Sequence, residues 1–166
     1  MTKRLLHNAQ VIDPEAGTII HADIRIENGL ITQVSQSPLS ANPNEHSVDC
    51  HNKYLAPGII DIGVKVCEPG ERHKESFKSA GLAAAAGGIT TMVTRPDTTP
   101  AIDSPETLEF IARRANQATP VNVIPMAALT KGRNGREMSE IGFLMDAGAI
   151  AFTDCDHVVS NPKVFA

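Results

Sequence analysis

An α/β chain in two parts is what the sequence predicts, and three observations predict it. Apolar and polar residues alternate through the first third, short apolar runs alternate with helical segments through the remainder, and Gly and Pro punctuate the joints. Residues 1–55 are expected to form a small β segment, and residues 56–166 an array of parallel strands joined by helices.

In the first part, residues 3–35 alternate as in Ala22-Asp23-Ile24-Arg25-Ile26-Glu27, then turn at Asn28-Gly29 into Leu30-Ile31-Thr32-Gln33-Val34. Period-two alternation around an Asn-Gly turn is a hairpin, because that dipeptide accepts the positive φ angles of a tight turn. Ser35-Gln36-Ser37-Pro38 and Asn42-Pro43-Asn44 make a loop, and Ser47 to Leu55 gives one more short strand.

From Pro57 the pattern changes. Ile59 to Val66 reads as a buried strand, and Ser76 to Ala86 as an alanine-rich helix ended by Gly87-Gly88. Ile89 to Thr94 is β-branched and strand-like. Ser104-Pro105-Glu106 supplies an N-cap, a proline at the first helical position and an early acid for a helix running to Ala118. Val121 to Ala127 is a third strand, Arg136 to Ala147 a third helix and Ala149 to Thr153 a fourth strand, while Asn161-Pro162-Lys163 reads as the cap of a further helix. Strand-helix alternation implies parallel strands with right-handed crossovers. Four strands cannot close an eight-stranded barrel and leave two hydrophobic edges, so the expected architecture is the N-terminal half of a (β/α)8 TIM-like barrel. A compact four-stranded α/β domain is the alternative.

Composition excludes several functions. The chain has 166 residues, 42% of them hydrophobic and 20% charged, enough for one ordinary core. A net charge of −4 and a pI near 5.8 provide no basic field for nucleic acid or an anionic membrane. The opening Met1-Thr2-Lys3-Arg4-Leu5-Leu6-His7 lacks the apolar run of roughly 7–15 residues of a signal peptide, and no run approaches the ~18 apolar residues of a membrane span, so a cytoplasmic location is expected. Cys50, Cys67 and Cys155 are odd in number and form no C-x-x-C pair, which fits reduced thiols.

From Tyr54 to Phe165 the chain resembles dihydroorotases of the amidohydrolase superfamily. The segments that carry the resemblance are Ala56-Pro57-Gly58-Ile59-Ile60-Asp61, Glu68-Pro69-Gly70, His73-Lys74-Glu75, Ala84-Ala85-Ala86-Gly87-Gly88-Ile89-Thr90-Thr91, Asp103-Ser104-Pro105-Glu106-Thr107-Leu108, Ala128-Leu129-Thr130-Lys131-Gly132 and Ala151-Phe152-Thr153-Asp154, in the family's order and spacing. The resemblance implies a (β/α)8 barrel carrying a small β-sandwich built from both termini, to which residues 1–55 would belong. It also implies zinc chemistry that interconverts N-carbamoyl-aspartate and dihydroorotate in pyrimidine biosynthesis, the metal polarising an amide carbonyl and generating hydroxide at neutral pH.

Several functional positions depart from the family pattern. The family's first barrel strand ends Asp-x-His-x-His, two imidazoles that strand periodicity sets on one inward face. Here those positions are Gly63, which offers no donor atom, and Lys65, a cation without a free lone pair at neutral pH. Lys65 either stands where the metal charge would be or merely pairs with Asp61 or Asp154. Cys67 replaces the arginine of Arg-Glu-Pro-Gly, whose planar fork holds the substrate carboxylate in the family. With no partner His, Cys67 reads as a structural thiol. Asp97 replaces the substrate-contacting asparagine of Met-Pro-Asn-Thr-Asn-Pro and presents a negative charge to an anionic substrate; Arg95 compensates it or is a solvated loop residue. Asp154 keeps the position of the family's metal-bridging aspartate, but Cys155-Asp156 replaces the following Asp-Gly. Asp154, Asp156 and His157 could form a makeshift ligand cluster or an ordinary solvated loop. His73-Lys74-Glu75 is expected to orient the loop after the first strand, and His7, His21, His46 and His51 to lie on the surface of the β segment.

No confident catalytic residue and no cofactor follow. The expectation is a dihydroorotase homologue without catalysis, acting as a structural or regulatory partner of aspartate carbamoyltransferase. The implied partners are the remaining C-terminal half of the barrel, aspartate carbamoyltransferase and further copies of the chain in a homo-oligomer. The competing reading is an active zinc-dependent cyclic amidohydrolase with an altered metal site.

Overall fold

The alternation in the first third resolves into five strands in the computed structural model, which describes residues 2–165. β1 (Lys3–Asp13) and β2 (Thr18–Glu27) pair antiparallel from Lys3 opposite Glu27 to Asp13 opposite Thr18, with a register shift between Leu6 and Ala9 where Asn8 takes φ 61°. β2 turns into β3 (Leu30–Ser35) through Asn28 and Gly29 at φ 53° and 83°, the two positive angles expected of this dipeptide. β4 (His46–Asp49) and β5 (Tyr54–Leu55) lie parallel to β1, giving a sheet ordered β3-β2-β1-β4 with β5 further along β1. The single strand expected over Ser47 to Leu55 is therefore two. His51 and Asn52, at φ 49° and 60°, turn the chain between them, a conformation no strand can hold. Asp23 is buried in this sheet and accepts hydrogen bonds from the backbone N–H groups of Asn8 and Leu39, both at 2.8 Å.

The chain divides into two compact units, Met1–Pro57 and Gly58–Ala166. In the second, β6 (Ile59–Val64), β7 (Ile89–Thr94) and β8 (Asn122–Pro125) form a parallel sheet in that order. α1 (Phe77–Ala86) starts at Ser76, whose side chain caps the N–H of Ser79 while Ser79 caps back, and Gly88 at φ 78° takes the chain out of the helix. α2 (Pro105–Ala118) begins as expected, with Ser104 as N-cap and Pro105 in the first turn. α1 buries Phe77, Ala80, Gly81 and Ala84, and α2 buries Leu108, Ile111 and Ala115, each a single stripe at helical spacing. These stripes meet Met92, Ile102, Ala127 and Leu144 in one core. Gly81 lets α1 approach the end of α2 closely, since a Cβ there would stand 2.7 Å from the Thr119 side chain.

Three expectations for this unit are corrected. The first strand stops at Val64 rather than Val66, and its ladder slips between Ile62 and Val64, where Gly63 takes φ 94°. A regular pleat therefore does not run through positions 63 and 65. The third helix is only α3 (Ile141–Asp146), because Met138 bridges to Thr130 and the carbonyl of Glu137 accepts from the N–H of Lys131, committing residues 137–139 to extended pairing. The fourth strand shrinks to a bridge between Ala127 and Phe152. The next rung would join Leu129 and Cys155, but the Leu129 carbonyl accepts from the N–H of Ser139 at 3.0 Å and the N–H of Cys155 donates to the Thr153 hydroxyl at 2.9 Å. Pro162–Phe165 forms a short 3-10 turn, with the Asn161 side chain accepting from the N–H of Lys163. Among the described residues no helix is long and apolar enough to cross a membrane.

Candidate functional site

The ends of β6 and β7 bring together residues that the sequence singles out separately. Lys65, one residue past β6, points its ammonium at Asp97 in the loop after β7, with Nζ 2.9 Å from Oδ2. The Asp97 side chain is only 3% exposed, against 51% for Lys65. Arg95 reaches the same Oδ2 from 3.0 Å and uses the same Nη2 to hold Asp156, sixty-one residues away in sequence. Two cations and two carboxylates thus alternate as Lys65–Asp97–Arg95–Asp156. Burial pushes the Asp97 carboxyl upward, but the hydrogen bond from Lys65 and the charges of Arg95 and Lys65 outweigh it and hold the group below its ordinary range. The hydrogen bond to Asp97 raises Lys65 in return. Lys65 therefore pairs with neither Asp61 nor Asp154, and Arg95 is a paired compensating cation, not a solvated loop arginine.

Asp154 is buried at 4% exposure, and both its carboxylate oxygens are engaged by one residue. The N–H of Thr130 donates to Oδ1 at 3.0 Å and the Thr130 hydroxyl donates to Oδ2. The Thr130 hydroxyl also accepts from the N–H of Gly135 at 2.9 Å, and the Asp154 carbonyl accepts from the Arg133 guanidinium. Asp154 is thus a brace for the 130–135 loop. Asp156 faces Arg95 and His157 Nδ1 sits 2.7 Å from the Arg133 carbonyl, so Asp154, Asp156 and His157 do not converge. Among the described residues no three His, Cys, Asp or Glu side chains are placed to hold a metal ion.

These donors do not fit the zinc that the family implies. Gly63 contributes nothing, Lys65 is a charged competitor, the occupied Asp97 oxygen serves two cations, and Asp154 is spent on Thr130. The thiols do not repair the site. Cys67 and Cys155 are half-buried and free, and burial together with Asp97 pushes the Cys155 thiol up, away from thiolate character.

One residue with a positioning role was visible only as part of a motif. Glu68, 6% exposed, accepts from the N–H of Phe77 at 3.0 Å and from Arg114 Nε at 2.7 Å, tying the loop after β6 to the start of α1 and to α2. The acid beside the first turn of α1 also complements that helix end. Its signal was the Glu68-Pro69-Gly70 segment, whose carboxylate has no readable partner in sequence because Arg114 lies forty-six residues on. In the loop that follows, Lys74 pairs with Glu71 and the Ser79 hydroxyl donates to Glu75, while His73 is exposed.

Comparison with known proteins settles the lineage. Residues 52–163 match the model of the family described as dihydro-orotase-like. The chain belongs to that family. The dihydroorotase of Geobacillus thermodenitrificans is 39% identical over 140 residues, covering 84% of this chain and 33% of that relative. The dihydroorotase of Aquifex aeolicus is 36% identical over 164 residues, covering 99% of this chain and 38% of the relative. The dihydroorotase-like chain thus spans about a third of the length of the curated relatives it matches. Among solved structures, the L-hydantoinase (dihydropyrimidinase) from Arthrobacter aurescens superposes with a TM-score of 0.80 at 23% identity, covering 92% of this chain and 32% of its own. The D-hydantoinase (dihydropyrimidinase) from a Thermus species gives 0.68 at 25% identity, covering 86% and 30%. The mixed α/β architecture is therefore shared with these hydantoinases, and the family is the dihydro-orotase-like one.

Proposed function

We propose that this dihydroorotase-like chain is a non-catalytic member of its family, serving as a structural or regulatory partner of aspartate carbamoyltransferase. One observation carries the reading: Lys65, at a position where the family places a zinc-binding histidine, is bonded to Asp97 at 2.9 Å. Substrate binding is weakened alongside, because Cys67 cannot grip a carboxylate and the nearby cations Lys65 and Arg95 are already paired with Asp97. Losing ligands, anion clamp and substrate amide together is most simply explained by a scaffold kept for assembly.

The same reading takes Gly58–Ala166 as the first part of a (β/α)8 barrel and Met1–Pro57 as part of a β-sandwich. Ile59, Ile60 and Ile62 of β6 are 55%, 61% and 72% exposed, an apolar strand that a soluble barrel would cover with its remaining strands. In the β segment, Ile12, Ile20, Ile24, Ile31 and Val34 line an open apolar groove of the kind a second sheet fills. The remaining half of the barrel, aspartate carbamoyltransferase and further copies of the chain are the partners.

The test is co-expression of the full-length protein with aspartate carbamoyltransferase from the same organism. Co-elution on size exclusion at defined stoichiometry, with no interconversion of N-carbamoyl-aspartate and dihydroorotate by the full-length protein alone, is expected. Separate elution, or turnover by the protein on its own, contradicts the proposal.

A further inference from the structure

We propose that the chain of charges Lys65–Asp97–Arg95–Asp156 is a protein-built replacement for the family's zinc, supplying the ion's cross-link between strand ends without its chemistry. The inference rests on the non-catalytic reading and deepens it. A metal held by ligands from several strands fastens the loops at one end of a parallel array. Here Lys65 follows β6, Arg95 and Asp97 follow β7, and Asp156 follows the bridge at Phe152, so the ion pairs join three separate loops.

The charges also explain why the arrangement excludes a divalent ion. Two cations meet two carboxylates, and an added ion would have to displace Lys65 from Asp97 while remaining beside Arg95. Asp97 in turn requires a cation, because its side chain is 3% exposed and its Oδ1 has no hydrogen-bond partner among the described residues. A carboxylate so enclosed is tolerated only when paired. Asp154, the family acid that survives, stays outside this network on Thr130, so the network uses the ligand position at Lys65 and otherwise draws on Asp97, Arg95 and Asp156.

A double-mutant cycle in the full-length protein tests this, with Lys65→Met, Asp97→Asn and the pair combined, each melted with EDTA, with added zinc and with neither. Wild-type melts that superpose in all three conditions are expected. Lys65→Met is expected to lower Tm by roughly 2–4 °C, and the double variant to recover at least half of that loss, because the enclosed charge goes with its partner. Lys65→Arg, which keeps the cation, should melt within about a degree of wild type and keeps the test decisive if Lys65→Met does not fold. A wild-type Tm raised by zinc and lowered by EDTA overturns the inference. So do losses that simply add in the double variant, or a Lys65→Arg variant as damaged as Lys65→Met. Additive losses in a metal-free, inactive protein would remove the replacement while leaving the non-catalytic reading in place; turnover would remove the reading itself.

Discussion

Returning Gly63 to the family's histidine should fail for a backbone reason that Gly63→Ala can isolate. Gly63 sits at φ 94° where the β6–β7 ladder slips, and a Cβ placed on it would touch nothing within 4 Å. Any loss in Gly63→Ala is therefore conformational and not a clash. Holding an L-residue in that region costs about 1–2 kcal/mol. With a urea slope of roughly 2 kcal/mol per molar, the midpoint should fall by roughly 0.5–1 M in both Gly63→Ala and Gly63→His. In Gly63→His with Lys65→His the same strain opposes the geometry a metal needs, so calorimetric titration with zinc should show no tight binding. Equilibrium unfolding followed by circular dichroism reads the first quantity. A midpoint unchanged in Gly63→Ala, or a double-histidine variant that holds zinc at nanomolar concentration, would refute the claim that this strand end has been rebuilt.

Glu68→Ala should cost about 2–3 kcal/mol in urea unfolding, because it leaves the Phe77 N–H and the one-third-exposed Arg114 without their shared acceptor; Glu68→Gln should cost less, and a loss below ~0.5 kcal/mol for the alanine would contradict the bracing role. Burial pushes Asp23 and Glu68 up, but hydrogen bonds from Leu39 and Asn8 in one case, and from Arg114 and Phe77 in the other, bring both below their ordinary values. Their stabilisation is thus fully present above pH ~4, the unfolded carboxylate range, and is lost as pH falls through the lower folded values. Thermal melts across pH 2–7 should accordingly show an acid limb that flattens in Asp23→Asn and Glu68→Gln; an unchanged limb would mean other groups carry it. Thr130→Val removes the hydroxyl donor to Asp154 and should cost about 1–3 kcal/mol without changing metal content, whereas zinc uptake by this variant would show that Asp154 is a ligand merely masked.

Local grammar was the legible part of this fold. The Asn28-Gly29 turn, the Ser76 and Ser104 caps, the Gly87-Gly88 exit and the β-branched Ile89–Thr94 strand all follow from interactions within a few residues, and they appear where the residues say. What failed to show was decided across longer separations. Residues 137–139 carry helix-compatible side chains but are drawn into pairing with 129–131, and the strand expected over Ala149–Thr153 is not continued because the Leu129 carbonyl goes to Ser139 and the Cys155 N–H to Thr153. The site divides the same way. Side-chain chemistry alone identifies Gly63 and Lys65 as poor ligands, but the partner of Lys65 is Asp97, thirty-two positions on, and periodicity within β6 could not anticipate a glycine at positive φ. The identity of Asp154 was legible, but that Thr130 holds both its oxygens was not, since the motif itself does not show it.

The most direct test of the central claim is the zinc content of the full-length protein, measured by elemental analysis after loading with zinc and desalting. Near-zero metal per chain is the expected result, since Lys65 and Asp97 satisfy each other and Asp154 is bound to Thr130. One or two zinc ions retained per chain would contradict the non-catalytic account and identify the protein as a working amidohydrolase with a rebuilt ligand set.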